Sequence, residues 1–249
     1  MTSDELLWLH PESLAFPPLE QALTEPDGLL AVGGDLSMQR LIKAYRSGIF
    51  PWYEDPQPIL WWSPDPRCIL ENGAFHESRS LRKSLRRYDW RVTTNCCFDR
   101  VMDACASSGD RRSATWINSA MQHAYQALHR SGYAHSIEIW LEQDLVGGLY
   151  GVGIDRMFFG ESMFSLVSDA SKIALSVLST MAEHHNWEMI DCQVGSPHLY
   201  RMGATDLPRQ EFAERLQSAC PTGLPIQGFE AERSDWQIPC APHVGVRHS

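Results

Sequence analysis

Two segments of this 249-residue chain set a carboxylate inside an apolar run. Phe158-Phe159-Gly160-Glu161-Ser162-Met163-Phe164-Ser165 holds Glu161, and Met189-Ile190-Asp191-Cys192-Gln193-Val194 holds Asp191 beside Gln193. A buried unpaired charge costs several kcal/mol, so acids in strand-like sequence point to a polar pocket cut into a core. Strand alternation predicts one face for Phe159, Glu161 and Met163, and one for Met189, Asp191 and Gln193. Structural alternatives stay open at this point: Glu161 paired with an Arg or with backbone N–H groups, and Asp191 with Gln193 as a hydrogen-bonded strand end.

Other candidate chemistry is thinner. Ser162, Ser165 or Cys192 could act as nucleophile with His135 or His198 as base, but the Gly-x-Ser-x-Gly elbow is missing. His184, His185, His243 and His248 lack metal-ligand spacing, and seven cysteines without a CxxC pair argue against a disulfide framework and a structural zinc site. Neither a metal nor a cofactor is expected.

A net charge of -10 disfavours nucleic acid on average and favours a cationic partner or peptide. One stretch departs from that average. Arg79, Arg82, Lys83, Arg86 and Arg87 share a helical face, with Leu81, Leu85 and Tyr88 as the apolar face, so the pattern predicts a basic stripe on a packed helix. Such a stripe is either a solvated surface or a phosphate-binding one.

The elements that must position these residues follow from periodicity. Ser37 is the expected N-cap of a helix over 38–47 closed by Gly48, and Gly33-Gly34 lacks the Gly-Lys-Ser/Thr ending of a phosphate loop. A helix over 122–131 leads into strands over 135–142, 145–154 and 157–165, an antiparallel meander. A helix follows from Ser168 or Asp169 to about His185, with Ile173, Val177, Leu178 and Met181 inward, and 187–194 returns as a strand. These elements predict an α+β sheet domain with an irregular tail after Ser218. The longest apolar stretch, 145–154, is too short for a membrane span of roughly 20 residues, and Met1-Thr2-Ser3-Asp4-Glu5 lacks the basic start of a secretory signal. A soluble cytoplasmic protein is expected, without a membrane partner.

Several motifs in order carry a resemblance: 25–37 (EPDGLLAVGGDLS), 48–52 (GIFPW), 61–67 (WWSPDPR), 115–117 (TWI), 135–138 (HSIE), 160–165 (GESMFS) and 191–194 (DCQV). Together they are similar to bacterial leucyl/phenylalanyl-tRNA-protein transferases over about residues 10 to 220. The resemblance implies a small N-terminal α+β domain, 1–65, before an acetyltransferase-like (GNAT-like) catalytic domain, 66–249, with a mixed sheet and flanking helices. It implies transfer of Leu or Phe, and possibly Met, from aminoacyl-tRNA to the α-amino group of a protein or peptide beginning with Arg or Lys, which marks it as an N-degron. Carried onto this sequence, Asp191 and Gln193 resemble the catalytic pair and Glu161 the site carboxylate. Trp52 and Trp116 would flank the terminal adenosine, and the stripe of Arg79, Arg82, Lys83, Arg86 and Arg87 would take the acceptor stem. Leu149, Met163, Leu175, Leu178 and Ile190 would line the side-chain pocket. Leu149, Leu178 and Ala182 stand where bulkier or aromatic residues are expected, which leaves the balance among Leu, Phe and Met open.

Elementary chemistry is compatible with that implication. An aminoacyl ester is already activated, and an α-amino group of pKa about 7.7 to 8.0 is roughly a tenth neutral near pH 7. Positioning then matters more than making a strong nucleophile, which suits Asp191 as an orienting acceptor acting through Gln193. Glu161 is the first candidate to meet the cationic residue or its amine. An acyl-CoA-dependent acetyltransferase would want a glycine-rich pyrophosphate loop, and 165–172 has no glycine. A non-catalytic tRNA-binding module would need only the stripe.

Overall fold

The computed structural model describes residues 6–107 and 117–229; Trp116, His243 and His248 lie outside them. The chain opens with β1 (Leu7–Leu9), β2 (Leu29–Gly33), α1 (Met38–Arg46), β3 (Phe50–Pro51) and β4 (Leu60–Trp62), whose strands form a sheet in the order β1-β2-β4-β3. Ser37 caps α1 as expected, its Oγ accepting from the Arg40 N–H. Gly48 ends the helix at φ +75°, where a side chain would also press on the Phe212 ring.

β5 (Arg67–Glu71), α2 (Arg79–Arg87), β6 (Trp90–Thr94), α3 (Phe98–Ser107), α4 (Ser119–Arg130), β7 (Ala134–Leu141), β8 (Asp144–Ile154) and β9 (Met157–Ser165) follow. α5 (Ala170–His184), β10 (Met189–Gln193), α6 (Pro197–Arg201), β11 (Thr205–Leu207) and α7 (Arg209–Ala219) complete the described chain. The seven-stranded sheet runs β11-β5-β10-β9-β8-β7-β6. β7, β8 and β9 are the expected meander; α5 then crosses over so that β10 lies parallel to β9 and antiparallel to β5. The sheet is therefore mixed and the fold α+β.

Apolar side chains on the two faces of this sheet form two clusters. Tyr45, Trp61, Tyr125, Phe159 and Phe212 belong to the first, which joins the N-terminal sheet to α4, β9 and α7. Phe158, Ile190 and the α5 residues Ile173, Leu175 and Leu178 belong to the second, with Leu81 and Leu85 of α2. α5 is buried on more sides than its predicted amphipathic stripe because it contacts both the sheet and α2.

Two elements of the sequence reading differ. Asp169 precedes α5 in the left-handed region without capping it; Ser165 Oγ instead accepts from the Ser171 N–H. Tyr88 is not on the buried face of α2 but ends the helix, 40% exposed. Residues 220–229 are irregular, as expected after Ser218, and packed, with Phe229 stacked on His135 at 4.2 Å. Among the described residues no helix is long and apolar enough to cross a membrane.

Candidate active site

Two β-bulges build the site. In β9, Ser162 pairs with Tyr150 and Gly160 with Gly151, so Glu161 is the extra residue. In β10, Asp191 pairs with Ile69 and Gln193 with Cys68, so Cys192 is the extra one. Bulges re-aim side chains, and the face predicted for Phe159, Glu161 and Met163 fails for that reason. Phe159 packs on Tyr45 in the first cluster, whereas Met163 packs against the second. Gln193 sits at φ +62°. The parallel pairing of β9 with β10 ends at Phe159 and Asp191; beyond it a side-chain bond joins them, Gln193 Nε2 donating to Glu161 Oε1 at 3.0 Å.

Glu161 receives two further donors. Tyr45 Oη of α1 donates to Oε1 and Tyr125 Oη of α4 to Oε2, each at 2.7 Å. The two hydroxyls also touch each other at 2.5 Å. Burial pushes the Glu161 carboxyl up to about 7, helped by the negative charge of Asp191 and opposed by the hydroxyl and amide donors. Burial and the Glu161 charge hold both phenols well above their usual range. Oε1 of Glu161 thus takes two donors and Oε2 one, and the residue lines a cavity.

Asp191 is fully buried and occupied. Arg67 Nε donates to its Oδ1 at 2.8 Å and Arg67 Nη2 to its Oδ2 at 2.7 Å, while the Gln193 backbone N–H donates to Oδ1 at 2.8 Å. The guanidinium lies between the rings of Phe50 and Phe212, 4.8 Å from each, and donates to Gly48 O. The acid therefore governs Gln193 through its backbone: the bond to Oδ1 holds the left-handed turn that aims the amide at Glu161.

A cavity of about 300 Å³ opens against this polar wall. Leu149, Met163, Leu175, Leu178 and Ile190 all line it, with Leu199 of α6; Ala182 does not. Glu161 and Gln193 stand at its polar side. A branched or aromatic side chain could occupy the apolar part with a reacting carbonyl near the amide.

α2 is capped by Ser78, whose Oγ accepts from the Leu81 N–H at 3.1 Å, and buries Leu81 and Leu85. Its outer face turns Arg79, Arg82, Lys83 and Arg86 into one groove, while Arg87 lies over the Tyr88 ring. Trp52 is 45% exposed and packs on Trp62 at 5.6 Å. Next to it, Tyr53 Oη donates to Asn118 Oδ1 and Asn118 Nδ2 to Asp55, and Asn118 caps the helix that carries Tyr125. Among the described residues no cluster of His, Cys, Asp and Glu is arranged for a metal.

Sequence reasoning missed Arg67, Tyr45 and Tyr125. Arg67 stood within a quoted motif, but its partner lies 124 residues away. The tyrosines sit on amphipathic helices, where aromatic residues read as core.

Known proteins are similar to this chain over most of its length. A leucyl/phenylalanyl-tRNA–protein transferase of Saccharophagus degradans is 48% identical over 94% of this chain and 97% of its own, and one of Nitrosospira multiformis is 55% identical over 84% and 90%. A solved structure of a conserved Staphylococcus epidermidis protein of unknown function covers 72% of this chain and 68% of its own, at 13% identity and a TM-score of 0.37, too slight a likeness to carry an argument. The family model "Leucyl/phenylalanyl-tRNA protein transferase" matches residues 69–217, from the middle of β5 into α7, and the model of that family's N-terminal domain matches 34–65. A match that spans the cavity, both bulges and the Glu161–Gln193 bridge puts the chain in the leucyl/phenylalanyl-tRNA protein transferase family, as an aminoacyltransferase.

Proposed function

We propose that this enzyme moves leucine or phenylalanine from tRNA to the α-amino group of proteins that begin with Arg or Lys, marking them for N-degron degradation in the cytoplasm. The observation that carries the reading is the cavity itself, apolar over Leu149, Met163, Leu175, Leu178 and Ile190 and ending on Glu161 and Gln193. An ester-linked amino acid would fill it with its carbonyl at the amide, and the acceptor amine would approach from the polar side. Holding the two in attack geometry supplies several kcal/mol. Asp191 acts as an orienting group, since its oxygens are taken by Arg67 and by the Gln193 backbone. The net charge of -10 favours cationic acceptors.

We read the fold as an acetyltransferase-like domain from about residue 66, preceded by a small N-terminal domain that supplies Tyr45. The crossover of α5 between β9 and β10, whose pairing stops where the cavity opens, supports this reading. Incubation with labelled leucyl-tRNA and matched peptides starting with Arg or a neutral residue tests the activity. Label should appear on the Arg peptide; none on either peptide would leave only a tRNA-binding module.

Trp52 and Trp116 are proposed to flank the tRNA's terminal adenosine, and the α2 groove to take its phosphates. Exchanging Arg82, Lys83 and Arg86 for Gln should flatten the slope of log affinity against log salt by about 2, at roughly 0.7 to 0.9 per phosphate contact. An unchanged slope would put the tRNA elsewhere.

A further inference from the structure

Tyr45, Tyr125 and Glu161 close a ring of three oxygen contacts, 2.5, 2.7 and 2.7 Å long. With the carboxyl ionised, two hydroxyl hydrogens serve three contacts. If both point at the carboxylate, the Tyr45–Tyr125 contact sets two lone pairs against each other where both phenols are fully buried. One more hydrogen completes the ring. Gln193 and Tyr45 both donate to Oε1, which marks Oε2 as the seat for that hydrogen; Oε2–H then donates to Tyr125, Tyr125 to Tyr45, and Tyr45 to Oε1.

We propose that Glu161 is the proton acceptor for the incoming α-ammonium group, and that Tyr45 and Tyr125 are positioning residues that tune it for that task. The inference rests on the transfer reaction proposed above. The ammonium gives one proton to the Glu161 carboxylate. The neutral amine attacks the ester carbonyl; the N–C bond forms, the C–O bond to the ribose breaks, and the nitrogen's second proton leaves on the ribose oxygen. Glu161 afterwards releases its proton to solvent, so charge and atoms balance. A carboxyl poised near 7 suits an amine of pKa about 7.7 to 8.0 far better than an ordinary solvated one near 4.3.

The groups facing Glu161 are Tyr45 from α1, Tyr125 from α4, and Asp191 and Gln193 from β10; Tyr150 of β8 lies beside the two phenols, and Arg67 of β5 on the far side of Asp191. Burial raises the carboxyl, and the hydroxyl donors bring it back toward neutrality. Each donor bonds a charge and is worth about twice the neutral Tyr45–Tyr125 contact, so the lost donor decides the sign in a Tyr→Phe variant.

The kcat of leucyl transfer to an Arg-starting peptide is to be measured against pH with both substrates saturating. In the wild type it should rise through the Glu161 titration. In Tyr45→Phe or Tyr125→Phe that limb should move up by about one to two pH units, with tenfold or greater loss at neutral pH recovered at alkaline pH. Glu161→Gln should lose about 10²- to 10⁴-fold at every pH. A purely structural tyrosine would lower turnover without moving the limb, and that result overturns the proposal. Infrared difference spectra of the enzyme alone are the second readout and need no Tyr variant. A protonated-carboxyl band should titrate near neutral pH and vanish in Glu161→Gln; titration in the ordinary carboxylate range would overturn the tuning. If the band behaves as expected but no leucine reaches any peptide, the transfer reading fails and the tuned carboxyl stands.

Discussion

Asp191→Asn should lower the melting temperature by about 6–20 °C, and turnover should fall mainly because less enzyme is folded. The side chain is fully buried, and both of its oxygens face the Arg67 guanidinium, itself enclosed by Phe50 and Phe212. Breaking a buried pair from one side leaves an uncompensated charge and costs about 3–5 kcal/mol. For a chain of this size each kcal/mol moves the midpoint by roughly 2–4 °C. Gln193→Asn is the contrasting variant. Asparagine tolerates the left-handed backbone at this position, but its shorter side chain does not span the 3.0 Å bond to Glu161. Its melting temperature should stay near that of the wild type while turnover drops at least tenfold. Calorimetry beside single-turnover transfer separates the two outcomes. A stable Asp191→Asn enzyme without turnover would return the acid to the chemistry itself.

What the sequence disclosed, and what it withheld, divides by the range of the interaction. The meander, α1, α2 and α5 were legible because hydrophobic period and capping residues act within a few positions: Ser37, Gly48 and Leu81 with Leu85 all do locally what their types suggest. The bulges at Glu161 and Cys192 were not legible. One extra residue on one strand is defined only by its partner strand, and alternation counted along β9 alone put Phe159 and Met163 on the same face. The Arg67–Asp191 pair and the Tyr45–Glu161 bond join residues 124 and 116 apart, a separation at which periodicity says nothing. Pocket residues such as Leu149 and Leu178 came from the family resemblance; as isolated leucines on a strand and a helix they carried no sign of a cavity.

That cavity gives the second large effect. Leu178 is buried on α5, yet it faces the open volume rather than only packed neighbours. Leu178→Phe should therefore fold and narrow the pocket, with part of the usual overpacking cost of about 1–3 kcal/mol relieved by the free space. An apolar pocket discriminates by fit, at about 1–3 kcal/mol per methylene, or roughly 10- to 200-fold. The larger transferred side chain loses room first. In a competition between leucyl- and phenylalanyl-tRNA, kcat/KM for phenylalanine relative to leucine should fall by about that factor. Leu178→Ala should shift the ratio the other way and cost roughly 2–5 kcal/mol of stability, because it enlarges an existing cavity. If both variants changed the two transfers in equal proportion, the side chain would not be seated against Leu178. The cavity between β9, β10 and α5 would then be a void beside the reaction, and the acyl group would have to bind elsewhere.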